Sequence, residues 1–573
     1  MFVIFFLFDN SHNLNGRQCV KTNNIFDQQH KNFAKNMLKY QLNLNKISNT
    51  FQYGLSHQIQ IQIRNRHDAK TTPNTQTSFQ NEVRKRQAQA KRSIFIETPG
   101  DSNTDNELAA CCSQIGPINS IFRLDAEAKS HFLVEFKHPE TAKDVIRSAY
   151  HPGNHFIDGK VRAKGRFLTF SSTGDSATKP KKINYNFKRE TGIINPESIL
   201  KQMRDEKTID DQIMKLFKVN RLSDLSSRLR FLTALQIEEA ISGVFHEAQV
   251  LPFGSSINGF GRMQSDLDMI LVSYGNRTWK GQLKSMELGT SEDMARYTVR
   301  NNLYVVSTMA RHWLQGVSEV QPILNARVPI IKYIHTLTNL ECDLSMGNFS
   351  GYQMSEIFYT FGEMDERVRP LAFFIRAWAK EFDILQPFPA GLSNFMVTCL
   401  VIFFLQRLQK PILPPSDDII SLQESGENIQ LITDTKKLNF KTENTSTLAE
   451  LLVEFFEYYS SFDYSNDAAS IATGTIKANI SSDSMFIYNP LDHGLNVSRN
   501  VTDFELNQFV DKCRMSRDAL TKSSLDAVEL LEFYSKNMSR EKIDSFVNNM
   551  MKQKSSENSK KSGKFNVKTL MKS

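Results

Sequence analysis

The stretch FGSSINGFGRMQSDLDMILV, residues 253–272, constrains the fold of this chain most, because two aspartates precede its apolar end. Side chains alternate between the two faces of a strand, so a strand over SDLDMILVS places Asp266 and Asp268 on one face. Two neighbouring carboxylates repel each other and are unfavourable beside an apolar sheet, and a divalent cation removes that penalty. Carboxylate oxygens suit Mg²⁺, or Mn²⁺ in its place. The stretch therefore predicts a metal site.

A tight turn at Gly254-Ser255 joins this strand to an earlier one over AQVLPFG. Such a turn supplies backbone N–H groups and a hydroxyl, which together can hold a triphosphate. A D-x-D pair alone arises by chance in many proteins, but a strand, a Gly-Ser turn and a second strand in this order are far more specific. The combination favours a nucleotide site next to the metal site.

Glycine-serine followed by D-x-D resembles the signature of the DNA polymerase β-like nucleotidyltransferases. The resemblance implies a third carboxylate on a nearby strand, and its pattern falls on Asp343 in ARVPIIKYIHTLTNLECDLSM, where Glu341 shares the same face. Three carboxylates allow two cations, one to activate an attacking 3′-hydroxyl and one to steady the departing pyrophosphate. The alternative for Asp343 alone is an ordinary surface position on a strand.

The segment VRPLAFFIRAWAKEFDI predicts an amphipathic helix with Arg376 and Lys380 four residues apart on one face. It resembles the basic helix of poly(A) and poly(U) polymerases within this superfamily, in which two cations hold the triphosphate. A solvated basic face is the commoner alternative.

Two further segments resemble the nucleotide site of the same family. In PAGLSNF the resemblance places Phe395 on the base and Ser393 and Asn394 near the phosphate and sugar, although ordinary core packing is the alternative for a lone phenylalanine. FIYNPLDHGLNVSRNV resembles the nucleotide-recognition loop, and its pattern includes Asn496. Many relatives carry Asn-Thr where this chain has Met354-Ser355, which leaves Ser355 as the candidate for reading the ribose hydroxyls.

Residues 92–170 alternate strand and helix signals in the order βαββαβ, the ferredoxin-like arrangement of an RNA-recognition module. The third strand, KSHFLVEF, places His131 and Leu133 where base-stacking aromatic residues stand in such modules, if Val134 and Phe136 belong to the core. We therefore expect self-association or docking through this module instead of base stacking. Residues 195–540 resemble the mitochondrial poly(A) polymerases, and that resemblance implies a homodimer through this module.

The 573 residues are enough for several domains, and an α+β chain is expected. Residues 28–81 carry seven Lys or Arg and one acid, which is typical of a mitochondrial transit segment, although a disordered basic segment is an equal alternative. No stretch predicts a transmembrane helix. The predicted divisions are a targeting or disordered leader over 1–91, the RNA-recognition-like domain, a linker over 171–194, a nucleotidyltransferase palm with a mixed sheet over 195–350, a helical central domain with the recognition loop over 351–540, and a basic tail over 541–573.

Residues 195–540 as a whole resemble the mitochondrial poly(A) polymerase family. The resemblance implies a mitochondrial matrix enzyme that adds AMP from ATP to RNA 3′-ends without a template, and the net charge of +8 agrees with a polyanionic partner. A terminal uridylyltransferase of the same fold and a catalytically silent RNA-binding scaffold are the alternatives. Uridylyl-adding relatives commonly carry a histidine where this chain has Leu495, which favours ATP, and His493 is the next candidate for selecting the base.

Overall fold

The computed structural model of the chain describes fourteen segments within one compact unit, Gln76–Ser573. The described residues are 78–99, 102–125, 129–149, 165–170, 187–189, 195–245, 248–272, 292–347, 349–385, 391–420, 422–423, 428–429, 440–522 and 525–532. The predicted leader up to residue 77, the predicted tail and the predicted linker apart from 187–189 lie outside them.

The end of the predicted leader is a folded helix, α1 (Ser78–Lys91). Its apolar residues Phe79, Val83 and Ala90 are buried and pack with Phe231 of a later helix. The prediction of a targeting or disordered segment is therefore wrong for this part. The many Gln, Lys and Arg residues of SFQNEVRKRQAQAK conceal the few apolar positions that make a packed face.

The N-terminal module has the predicted βαββαβ order, with one short strand added. Its elements are β1 (Ser93–Thr98), α2 (Ser102–Ile115), β2 (Ile118–Asp125), β3 (Ser130–Phe136), α3 (Pro139–Ser148), β4 (Phe167–Thr169) and β5 (Lys188–Arg189). The strands lie in the order β4-β1-β3-β2-β5. Phe132, Val134 and Phe136 of β3 belong to the module core, as the alternation predicts.

A second five-stranded sheet forms the palm. Its elements and the surrounding helices are α4 (Pro196–Arg204), α5 (Ile209–Asn220), α6 (Asp224–Ile241), β6 (Gln249–Phe253), β7 (Leu267–Val272), α7 (Glu292–Trp313), β8 (Val317–Ile323), β9 (Ile330–His335), β10 (Leu340–Met346) and α8 (Phe349–Met364). The order is β6-β7-β10-β9-β8, and β7 and β10 run parallel while the other pairs are antiparallel, which confirms the mixed sheet.

The two faces of the palm sheet have different partners. Leu267, Met269 and Leu271 of β7 pack with α6 and α7. Ile270 and Val272 alternate with them and pack with the start of α8. Asp268 shares this second face because it lies two residues before Ile270. The aspartates therefore face away from the palm helices.

The remaining elements form the helical domain. They are α9 (Val368–Glu381), α10 (Asn394–Arg407), α11 (Ser416–Ile419), β11 (Leu422–Gln423), β12 (Asn428–Ile429), α12 (Leu448–Ser461), β13 (Asp467–Ser470), β14 (Thr475–Ala478), β15 (Ile487–Tyr488), α13 (Asp503–Lys522) and a helical turn over 527–532. Trp378 is fully buried at its centre and donates from Nε1 to Ser516 Oγ at 2.8 Å. Apolar residues of α4 and α5 join this core instead of packing on the palm sheet.

Helix α6 covers the open face of the module sheet. Leu133 and its neighbours on that face pack against three leucines of α6, and the whole cluster is Phe95, Phe122, Leu133, Phe167, Leu225, Leu229 and Leu232. The face that stacks bases in RNA-recognition modules is therefore occupied by the chain itself. Base stacking there is excluded by this packing as well as by residue type.

Buried ion pairs hold the module and α6 together. Glu135 is fully buried and accepts hydrogen bonds from Arg92 at 2.6 Å and Arg228 at 2.8 Å. Burial alone would raise the pKa of Glu135, but these hydrogen bonds hold the pKa below its ordinary value. On the other side, Arg166 donates to Glu239 at 2.7 Å. These contacts hold the module in a fixed position against α6.

No helix in the described segments is long and apolar enough to cross a membrane.

Candidate active site

Three aspartates lie close together on or beside the neighbouring strands β7 and β10. Asp268 and Asp343 lie side by side in the register of the parallel pair, and Asp266 immediately precedes β7. Asp266 is exposed, whereas Asp268 and Asp343 are half-buried. The structure therefore brings together all three carboxylates that the sequence singles out.

The electrostatics of these carboxylates suit a hard cation. Burial, together with the charges of Asp343 and Asp266, raises the pKa of Asp268 to about 7. Limited solvation also raises the pKa values of Asp266 and Asp343, against the opposing ammonium of Lys332. Within the described part of the chain, Asp343 Oδ1 is buried without a hydrogen-bond donor. Unsatisfied carboxylate oxygens in a cluster of like charges are a donor set for Mg²⁺ or Mn²⁺.

The carboxylates do not form a closed cage. Across the described residues, no group of three or more His, Cys, Asp or Glu side chains converges on one point as metal ligands do. The fit to a cation rests instead on the paired register of Asp268 and Asp343 and on the unpartnered oxygen.

Two cationic side chains adjoin the aspartates, and no pattern in the sequence indicates either role. Lys332 on β9 lies opposite Asp343. Arg230 of α6 is fully buried and donates through Nη2 to the backbone oxygen of Ser265, the residue before Asp266. Burial lowers the pKa of Arg230 to about 10, against the opposing charges of the aspartates. Arg230 therefore supports the D-x-D segment from behind.

The Gly-Ser turn passes directly over Asp268. Gly254 has φ of +64°, which glycine adopts without strain, and begins a short 3₁₀ turn, Gly254–Ser256. A Cβ on Gly254 would lie 2.8 Å from Asp268 Oδ2. The Gly254 N–H donates to Ser355 Oγ at 2.7 Å, and Ser255 lines the cleft beside the aspartates. Glycine is therefore needed here both for the turn and for the carboxylate beneath it.

Ser355 holds this turn in place. Its hydroxyl accepts the Gly254 N–H and donates to Gly351 O at 2.7 Å, and the residue is 2% exposed. A hydroxyl has one donor and two acceptor lone pairs, so a predicted ribose contact has only one lone pair left to use. The contacts give Ser355 a positioning role.

Arg376 and Lys380 differ more than their spacing predicts. Lys380 is exposed on α9 and lines the cleft. Arg376 is 5% exposed and donates through Nη2 to Phe260 O at 2.6 Å, in the loop after the Gly-Ser turn. Burial and the nearby charge of Arg262 lower the pKa of Arg376 to about 9. Arg262 in turn donates to Phe373 O at 3.3 Å, so two arginines tie this loop to α9.

Phe395 has the geometry of a base platform. It is 36% exposed in the cleft, and its ring stacks on Phe358 at 5.5 Å and 19°. Asn394 lines the cleft beside it. Ser393 is not among the described cleft residues, and its Oγ caps α10 by accepting from Met396 N at 3.2 Å. The structure thus gives Ser393 a helix-capping role, and its predicted phosphate or sugar contact stays a prediction.

Asn496 stabilises the recognition loop from inside. Its Oδ1 accepts from the backbone N–H groups of Ile487 and Ser498, and its Nδ2 donates to Asp483 and to Met485 O. These bonds use both donors and both lone pairs, so the predicted direct contact with nucleotide is not available to this side chain.

Within the recognition loop, Leu495 lines the cleft, and His493 is not among the described residues that do. His493 lies near Asp417 instead, where it opposes the raised pKa of that carboxyl. Of the two candidates for selecting the base, Leu495 therefore has the better position.

One cleft between the palm and the helical domain, with a volume of about 1200 Å³, is lined by part of this set: Gly254, Ser255, Asp266, Asp268, Ser355, Arg376, Lys380, Asn394, Phe395 and Leu495. Asp266, Asp268 and the Gly-Ser turn lie on the palm side, and Lys380 and Phe395 lie on the helical side. A cleft of this size with converging polar groups is typical of a site for a nucleotide-sized ligand.

Comparison with known proteins identifies the family. A family model described as "Poly(A) RNA polymerase, mitochondrial-like, central palm domain" matches residues 209–363, and one described as "Cid1 family poly A polymerase" matches 447–489. The chain is 36% identical to the mitochondrial poly(A) RNA polymerase of Drosophila melanogaster over 452 residues, which cover 74% of this chain and 73% of that protein.

A human relative and a solved structure indicate the same family. The chain is 30% identical to the mitochondrial poly(A) RNA polymerase of Homo sapiens, over 80% of this chain and 82% of that protein. The crystal structure of mtPAP in complex with ATPγS matches with a TM-score of 0.69 and 27% identity, over 80% of this chain and 99% of that chain. The chain therefore belongs to the mitochondrial poly(A) RNA polymerase family.

Proposed function

We propose that Asp266, Asp268 and Asp343 hold the divalent cations, Mg²⁺ or Mn²⁺, with which this chain polyadenylates RNA. As a member of its family the chain is a mitochondrial polynucleotide adenylyltransferase that adds AMP to RNA 3′-ends without a template. Nucleotidyltransferases of this fold generally use divalent metals. The single observation that carries the assignment is the register of Asp268 against Asp343 beneath the Gly254 turn.

Two bound cations supply activation of the attacking 3′-hydroxyl and stabilisation of the pyrophosphate that leaves. Gly254 and Ser255 line the cleft beside Asp266 and Asp268, where the triphosphate would lie, and the Ser255 hydroxyl is the candidate donor to it. Lys380 on the opposite wall supplies a positive charge for the same phosphates.

The base of ATP would stack on the open face of Phe395. Phe358 supports the other face of that ring, so the platform is already in place before the nucleotide arrives. Stacking on an aromatic ring contributes about 1–3 kcal/mol per base and does not by itself select adenine. Asn394 lies next to the platform and is the remaining polar candidate for the sugar.

Base selection is proposed to depend on Leu495, and four-nucleotide assays test the activity directly. Leu495→His should raise the UTP-to-ATP ratio of kcat/KM about tenfold, because a histidine can hydrogen-bond uracil where leucine cannot. Labelled RNA incubated with each NTP measures this ratio. His493→Ala is the control and should leave the ratio unchanged.

Comparable use of ATP and UTP by the wild-type chain would instead support the uridylyltransferase alternative. The measurement must be kinetic, because mtPAP has also been solved in complex with UTP, GTP and CTP. Occupancy of that cleft by a nucleotide therefore does not report the choice of base. An intact carboxylate triad disfavours the silent-scaffold alternative.

The homodimer is proposed to form through the outer surface of the module. The open face of its sheet is covered by α6, so the helices and edges remain for a second copy. Ile115, at the end of α2, is 47% exposed there. Ile115→Glu should weaken the dimer at least about tenfold, since truncating or charging one apolar contact at a packed interface commonly has this effect. Light scattering measures the mass.

The matched control is Ile480→Glu, which alters an isoleucine that is 78% exposed in the helical domain. It should remain dimeric. A dimer that persists in Ile115→Glu places the contact elsewhere. We further propose that the palm predicted at 195–350 begins only after α5, because α4 and α5 share the core of the helical domain predicted at 351–540. We also propose that the basic leader ahead of Ser78 directs the chain to mitochondria.

A further inference from the structure

Lys332 lies between two carboxylates at the edge of the proposed metal site. Antiparallel pairing of β9 and β10 sets it opposite Asp343. Its Nζ is 3.5 Å from Asp343 Oδ1 and 3.3 Å from Glu341 Oε2. Glu341 lies two residues before Asp343 and therefore on the same face of the strand. One ammonium thus has two anchors at nearly equal distance.

The two anchors differ in what else they do. Asp343 points to the cluster with Asp268, whereas Glu341 is 58% exposed and lies toward solvent. The contact with Asp343 is at ion-pair distance but does not satisfy its Oδ1 with a hydrogen bond, within the described part of the chain. The lysine is therefore held loosely on the oxygen that a cation would use.

We propose that Lys332 is an exchangeable counter-cation, which neutralises Asp343 until a divalent cation binds and then moves to Glu341. This inference rests on the metal-binding role proposed above for Asp343. Lysine is suited to it because its ammonium is a compact charge on a flexible four-carbon stem. The Lys332 side chain is 38% exposed, so it has room to move without any change in the backbone.

Arg230 is the contrasting case within the same cluster. Its guanidinium is fully buried and bonded to the backbone before Asp266, so it stays in place whatever the cleft contains. The site therefore combines a fixed positive charge behind the carboxylates with a movable one in front. Only the movable charge competes with the metal for a ligand oxygen, and Glu341 sets how readily it leaves.

Binding of Mn²⁺ alone, without nucleotide or RNA, tests the proposal. Free Mn²⁺ is measured by electron paramagnetic resonance at pH 8.0, which limits competition from protons at Asp268. Lys332→Met should bind Mn²⁺ about tenfold more tightly, because a like charge close to the ion is removed. Glu341→Gln should bind about tenfold more weakly, because the lysine then has only Asp343 to pair with.

A double-mutant cycle separates exchange from simple charge effects. If Lys332 moves between the anchors, the effect of Glu341→Gln depends on the lysine. In a protein that already carries Lys332→Met, Glu341→Gln should weaken Mn²⁺ binding only about threefold. The control pair is Lys215 and Glu206, which are 3.4 Å apart and each about one-third exposed. Lys215→Met and Glu206→Gln should leave Mn²⁺ affinity unchanged. Lys332→Gln provides a second neutral variant should the methionine impair folding.

Two outcomes overturn this proposal and one overturns the metal site itself. Unchanged or weaker Mn²⁺ binding by both neutral variants excludes competition by Lys332. Additive effects in the cycle exclude exchange, since a fixed lysine would not depend on Glu341. If Asp343→Asn binds Mn²⁺ as the wild type does, the proposed site is wrong before Lys332 is considered.

Discussion

Asp268→Asn is expected to abolish AMP addition, with a fall in rate of at least about a thousandfold, because the cations supply several kcal/mol of transition-state stabilisation. The same change is expected to stabilise the metal-free protein at pH 8 by about 2 kcal/mol, since an amide carries no charge to bury. Loss of activity with a gain in stability distinguishes a functional carboxylate from a structural one. Extension of labelled RNA and thermal unfolding in EDTA measure the two effects.

The pH dependence follows from the raised pKa of Asp268. Its ordinary value is 3.8, and the folded protein raises it to about 7. Between these values the folded state keeps a proton that the unfolded state has lost, so stability falls as pH rises through this window. The advantage of Asp268→Asn should therefore be full above pH 7 and should disappear below about pH 4.

The control for this prediction is Asp467→Asn, which alters a half-buried aspartate on β13 outside the cleft. It should leave the extension rate unchanged. Near-wild-type extension by Asp268→Asn, or a lower melting temperature than the wild type at pH 8, would contradict the assignment.

Gly254→Ala should reduce the rate of AMP addition at least about a hundredfold while the protein still folds. The alanine requires a left-handed backbone conformation, which costs about 1–2 kcal/mol in stability. Its methyl group would also lie 2.8 Å from Asp268 Oδ2, so the carboxylate has to move. Because catalysis depends on sub-ångström placement, the effect on rate should exceed the effect on stability. Single-turnover extension at saturating ATP measures the first and thermal unfolding the second.

Gly243→Ala is the matched control, because a Cβ there meets nothing within 4 Å. That variant should extend RNA at the wild-type rate. A Gly254→Ala protein that stays within a few-fold of wild-type activity would show that the turn and the carboxylate adjust independently.

The sequence predicted the parts of the site that depend on local pattern. The alternation around Asp266 and Asp268 is a property of consecutive residues, and the βαββαβ order of the module arises in the same way. Both appear in the structure with small changes, such as β7 beginning at Leu267 after the first aspartate. The resemblance to a family then added Asp343, which no local pattern singles out.

The sequence could not predict whether a polar side chain of the site has donors or acceptors left for a ligand after the chain folds. Arg376 and Phe260 are 116 residues apart, and Ser355 and Gly254 are 101 residues apart. Each pair forms only when the chain folds, and each gives a predicted ligand residue a bond that supports the turn. Asn496 shows the same effect within a single loop. Residue type identifies the region of the site, but the folded contacts assign the role.

The packing around helix α6 limits how the N-terminal module of this enzyme can be replaced by engineering or changed in evolution. Thirteen of its 18 residues are buried, because α1, the module and the palm sheet all pack around it. The N-terminal module is therefore not an interchangeable attachment, as RNA-binding domains fused by linkers often are. Any replacement must reproduce the apolar cover over Leu225, Leu229 and Leu232 and supply a carboxylate for Arg228. Substitutions at this junction are accordingly expected to occur in matched pairs, one on each side of the contact.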